Sequence, residues 1–153
     1  MTAQDNLESS GLVALVGEQL ELYQRLDSLS VRQHDLVAAD DTDGLLAVLG
    51  ARQQLIESIA DSAARMAPFR ARWDDHVCEL KDTDRESLRK GLDDLSAMMA
   101  VIADRDESDR VAMEERRDRV KSQITGVKRG SAAVNAYGGP AGARGPRFQD
   151  REA

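Results

Sequence analysis

Residues 12–59 read LVALVGEQLELYQRLDSLSVRQHDLVAADDTDGLLAVLGARQQLIESI, and their spacing decides the fold. Leu15, Leu22, Leu29 and Leu36 recur every seventh residue, beside a second row of Leu12, Gln19, Leu26 and Gln33. Seven residues are nearly two helical turns, so both rows predict one narrow seam along a long helix. The break Ala39-Asp40-Asp41-Thr42-Asp43 follows, and then Leu45, Leu46, Leu49, Leu55, Ile56 and Ile59 rebuild a stripe at spacings of three and four. So short a polar break turns the second helix back on the first. The expectation is a helical hairpin on which the rest of the chain packs.

Gln19 and Gln33 occupy seam positions where Leu is the norm, and polar seam residues set register or partner number at a cost in stability. Asp40, Asp41 or Thr42 is placed to cap the second helix, with Asp43 suited to its first turn. That helix is expected to reach about Met66. Pro68 interrupts it, yet Phe69, Trp73, Val77 and Leu80 resume an amphipathic pattern after a kink or restart. This stretch holds the single Trp and is expected to pack on the hairpin.

Thr83-Asp84-Arg85-Glu86 reads as a capping box opening a third long helix. One of its rows is Leu88, Leu95, Ile102; the other is Leu92, Met99, Asp106, Met113, Val120, Val127. Asp106 falls in the charged run of residues 104–119, which predicts solvated surface stitched by pairs three or four apart. Met98 and Met99 are expected in the core. At about 40 residues, or ~60 Å, this helix outreaches the hairpin. From Gly130 onward five glycines and two of the three prolines predict a mobile tail. The expected architecture is all-α: a flexible N-terminus (1–9), an elongated coiled-coil-like bundle of three long antiparallel helices (10–129), and a Gly/Pro-rich tail (130–153).

Composition bounds the function. Aromatics are 3% and charged residues 32% of the 153, the usage of long exposed helices. A net charge of −7 argues against nucleic acid, whose phosphates need a basic surface. No run approaches the ~20 apolar residues of a membrane span, and Met1 to Glu8 lacks the basic start of a secretory signal. One cysteine, Cys78, excludes an internal disulfide framework and suits a reducing cytoplasm.

No catalytic set emerges. His76 and Cys78 stand two apart, which on a helix points them to different faces, and no second cluster completes a metal site. Asp41-Thr42-Asp43-Gly44 resembles a calcium loop, but aligning Gly44 with the loop glycine leaves Ala39 and Gly50 where ligands belong. The expectation is no enzyme, metal or cofactor. The most informative feature is Val120, Ile124, Val127, Val134 and Tyr137, an apolar line with no evident internal mate, into which Met113 leads. Such a line packs back on the hairpin, forms a dimer seam, or receives an amphipathic helix or extended segment of another protein.

The order of these features resembles the FlgN-type flagellar export chaperones. The similar parts are the Leu-rich first helix ending in Gln33-His34-Asp35-Leu36, the Asp40 or Asp41 break, and Leu45-Leu46 through Arg52-Gln53-Gln54-Leu55-Ile56. The long third helix and Asn135-Ala136-Tyr137-Gly138 complete the likeness over about residues 10 to 139. The resemblance implies a cytoplasmic chaperone that binds the C-terminal helices of hook-associated, or hook-filament junction, proteins. It would prevent their premature assembly and deliver them to the export gate or export ATPase. It transfers client binding to Val120, Ile124 and Val127 by position, and a gate contact to Tyr137. The alternative is a coiled-coil scaffold that self-associates, and a homodimer is compatible with either.

Overall fold

The computed structural model describes the backbone of residues 3–152 and the side chains of residues 9–137. Among the described residues there is no strand, and the all-α expectation holds. The helices are α1 (Ala3–Ala39), α2 (Thr42–Arg65), α3 (Ala67–Ala71), α4 (Trp73–Glu79) and α5 (Asp82–Glu152). Three are long, as expected. The chain divides into two compact units, Met1–Arg110 and Val111–Ala153, with the division inside α5.

In the first unit the predicted hairpin forms, and its turn is built from backbone hydrogen bonds. Asp40 N–H donates to Val37 O at 3.3 Å and Asp41 N–H to Leu36 O at 3.1 Å. These are the two bonds of a Schellman ending, which needs a left-handed residue just past the helix. Asp40 supplies it with φ 58, a conformation that Asp tolerates better than most residues. Asp41 then caps α2, its Oδ1 accepting from Gly44 N at 2.9 Å. Gly44 leaves room for its neighbours: a Cβ there would lie 2.8 Å from both Leu36 Cδ2 and Asp41 Oδ2 and would push these side-chain ends aside. The carboxylates of the break are caps and turn formers.

The buried row of α1 is not the Leu15 row. Ser9, Leu12, Val16, Gln19, Leu26, Ser30, Gln33 and Val37 are buried, whereas Leu15, Leu22, Leu29 and Leu36 flank them half-buried. Both predicted rows thus lie at the seam, the Leu12 row at its centre and the Leu15 row along its flank. The helix turns inward the face whose polar members find partners. Opposite lie Leu45, Val48, Arg52, Leu55, Ile59 and Ser62 of α2, alternating at three and four.

At one end of this unit the core is apolar. Leu12 and Val16 pack with Met66, Leu80 and Leu88, and Phe69, Trp73 and Val77 lie against them. The stretch after Pro68 thus packs on the hairpin as predicted, in two short helices; Pro68 stands in the first turn of α3, where its missing N–H costs nothing. Gly91 brings α5 close to α1, since a Cβ there would meet Val16 Cγ1 at 3.0 Å. The predicted capping box does not form, because α5 begins at Asp82 and Thr83 is already helical. Arg85 instead reaches back to the carbonyls of Val77, Cys78 and Leu80 at 3.0–3.3 Å, satisfying the unpaired C-terminal end of α4.

Toward the hairpin turn the core is polar. Arg52 of α2 grips Asp106 of α5 through two bonds of 2.8 Å and donates to Gln33 Oε1 of α1 at 3.0 Å. Gln33 Nε2 donates to Asp109 Oδ2 at 3.1 Å, and His34 Nδ1 lies 2.6 Å from Asp109 Oδ1. Arg105 bridges to Asp27 and Ser30. Asp109 is 1% exposed: the row Leu88, Leu95, Ile102 continues one heptad further, to a carboxylate. The expectation of a solvated charged run is therefore corrected for Arg105, Asp106 and Asp109, because α1 and α2 bring complementary groups to them, while Glu107 and Ser108 between them stay exposed. Met98 is half-buried as a core residue should be, but Met99 is exposed.

In the second unit the backbone of α5 continues as helix to Glu152. The helix runs past Gly130, where its end was expected: one glycine costs about 1 kcal/mol, and the three alanines of residues 131–136 favour continuation. The remainder of the expected tail, residues 138–153, lies outside the described side chains, as do the side chains of the expected flexible N-terminus but for Ser9.

Candidate functional site

The part of α5 in the second unit carries the six residues singled out from the sequence. Successive helical residues turn by about 100°, so Met113, Val120, Ile124, Val127 and Val134 fall on one face and Tyr137 at its margin, within an arc of roughly 140°. All six are exposed: Met113 41%, Val120 48%, Ile124 50%, Val127 71%, Val134 68% and Tyr137 87%. The helix thus presents a line of exposed apolar side chains, mostly β-branched and short, with seven-residue steps from Met113 to Val120 and from Val127 to Val134.

The polar side chains around this line are mainly cationic, and sequence reading missed their arrangement. Arg117, Lys121 and Lys128 follow one long edge of the face at spacings of four and seven. Arg117 is held by the neighbouring Asp118 at 3.3 Å. The signal was legible in the spacing, but the acids and arginines of residues 104–119 read as a uniformly mixed surface.

Surface pairing of the predicted kind does occur in the first unit. Arg110 hydrogen-bonds Glu107 at 2.7 and 2.9 Å and holds its carboxyl below the usual range. Arg89 does the same to Glu86, chiefly through the side-chain hydrogen bond.

The Ser9 and His76 side chains serve packing inside the first unit. Ser9 Oγ donates to Glu79 Oε2 at 2.6 Å and lies 3.3 Å from His76 Nδ1. The His76 ring packs edge-on against Phe69 at 5.1 Å. Cys78 is exposed. Among the described residues no group of three or more His, Cys, Asp or Glu is disposed to hold a metal ion, and no helix is long and apolar enough to cross a membrane. Among the described residues, open grooves line the bundle. One, of about 450 Å³, lies between Leu29 of α1 and Leu55 of α2; another, of about 340 Å³, between Leu20 of α1 and Met98 of α5.

No curated protein and no solved structure matches the chain. A family model does: flagellar protein FliT, over residues 20–139. The resemblance drawn from the sequence is thereby kept at the level of flagellar export chaperone and corrected in its finer part, since the match is not to the FlgN type. Heptad leucines and a capping Asp belong to any helical hairpin and do not separate two such families. Because the matched span is well over half of the chain, this protein belongs to the FliT family of flagellar export chaperones.

Proposed function

We propose that this protein works in the cytoplasm and binds the C-terminal helical segment of a hook-associated protein on the exposed face of residues 113–137. The observation that carries the reading is that apolar line, exposed along its whole described length. Apolar side chains aligned over several turns are the form in which helices dock helices, and contiguous apolar surface marks contact with a partner. Covering the client's own apolar face would keep it from assembling before export. Ordering a flexible client on binding costs several kcal/mol, which suits a complex that must come apart at the export gate. Tyr137, the most exposed of the six, is the residue we assign to the gate or export ATPase.

The test is capture from native cytoplasm by the full-length chain and by Val120→Asp/Ile124→Asp, with bound proteins identified by mass. A hook-associated protein captured by the first and lost by the second is the expected result. Equal capture would move the site to the first unit. Tyr137→Ala should keep the client and impair its export; a lost client would place Tyr137 in the binding face.

A further inference from the structure

The helix that carries the proposed docking face has a charge bias that docking alone does not require. Arg119, Lys121, Lys128, Arg129, Arg144 and Arg147 are its charged residues over residues 119–149, with no acidic residue among them, in a chain whose net charge is −7. Lys121 and Lys128 stand within roughly 60° of Ile124 around the helix, and so along one edge of the apolar line. Asp118, the last acid before this stretch, is already engaged by Arg117.

We infer that the segment received here is an acidic amphipathic helix. Its apolar side chains, at spacings of three and four, meet Val120, Ile124 and Val127, and its carboxylates lie along the edge held by Lys121 and Lys128. This rests on the docking reading above and adds the chemistry of the partner. A single exposed ion pair contributes little, but a row of one sign rejects partners of like charge, fixes the direction of docking and speeds encounter. An anionic membrane surface would offer the same sign. Faces that lie in lipid headgroups are built on Trp, Phe and Leu, whereas this one is chiefly Val and Ile, with Met113 at one end, Tyr137 at its margin and no Trp, Phe or Leu among residues 113–137. A protein helix is the better match.

The test uses the full-length chain and three designed helical peptides sharing one Leu/Ile face, flanked by Glu, by Gln or by Lys, with fluorescence anisotropy as the readout. The Glu peptide should bind about tenfold more tightly than the Gln peptide at low salt, and the Lys peptide least. High salt should compress the difference, and Lys121→Glu/Lys128→Glu should reverse the order. Equal binding of all three, lost in Val120→Asp, would overturn the acidic preference and leave the docking reading standing. Binding of none, or binding that Val120→Asp leaves intact, would overturn both. Capture by anionic vesicles with no peptide bound would assign the face to a membrane. Self-association that the charge reversal dissolves, again without peptide binding, would assign it to a second copy; either outcome overturns the inference.

Discussion

Arg52 joins three helices through one side chain. It donates twice to Asp106 and once to Gln33, which in turn holds the buried Asp109. Its own exposure is 12%, that of Asp106 37%, so the pair is sheltered without being sealed. Removing one partner of such a set leaves the others desolvated and unpaired. Arg52→Met should lower the unfolding free energy by about 2–3 kcal/mol in urea titration. Adding Asp106→Leu should cost less than the sum of the single changes, with a coupling of about 1 kcal/mol or more; strict additivity would show that the pair contributes nothing. Ser62 is the opposite case, fully buried with its hydroxyl unpartnered among the described residues. Ser62→Ala should raise stability by about 0.5–1 kcal/mol, since it removes an unsatisfied group and improves helix propensity; a loss in the same titration would reveal a partner for the hydroxyl. Neither role was legible in the sequence. Heptad spacing put Gln33 in the seam, and the row Leu88, Leu95, Ile102 leads to Asp109, but spacing cannot say which polar groups on another helix will meet them.

At the scale of elements, local chemistry was legible wherever a residue acts on its own neighbours. The turn between α1 and α2, the cap at Asp41 and the interruption at Pro68 stand where the sequence puts them. What sequence reading missed depends on distance: Arg85, expected inside a capping box, closes α4 because the chain folds α4 beside it. Asp40 offers a clean test of the turn, being the one non-glycine residue at positive φ among the described residues. Asp40→Gly and Asp40→Ala remove the same side chain, but only glycine takes the left-handed conformation without strain. The Gly variant should therefore be the more stable by about 1 kcal/mol in chemical denaturation. Equal stability would mean that the hairpin closes through some other geometry.

For the molecule as a whole, sequence pattern fixed the all-α class and the exposed line, while the family had to come from a match over residues 20–139. Heptads specify that helices pair, but not with which family's partner. The two units make different demands on their apolar residues, and this separates stability from binding by experiment. Leu26 in the first unit is 6% exposed, whereas Val120 and Ile124 in the second are about half exposed. A carboxylate at Leu26 must be buried without a partner or drive the helices apart, at a cost of about 3–5 kcal/mol. For a chain of this length that corresponds to a fall in melting temperature of about 10 °C. At exposed helical positions the same carboxylate keeps its water and loses only a few tenths of a kcal/mol in propensity. Val120→Asp/Ile124→Asp should therefore melt within about 3 °C of the parent by circular dichroism, with helicity unchanged, while Leu26→Asp melts far lower. A fall for the double variant as large as that for Leu26→Asp would mean that the line from Val120 to Val127 is buried when the protein folds, and a face consumed by folding cannot also be the one a client occupies.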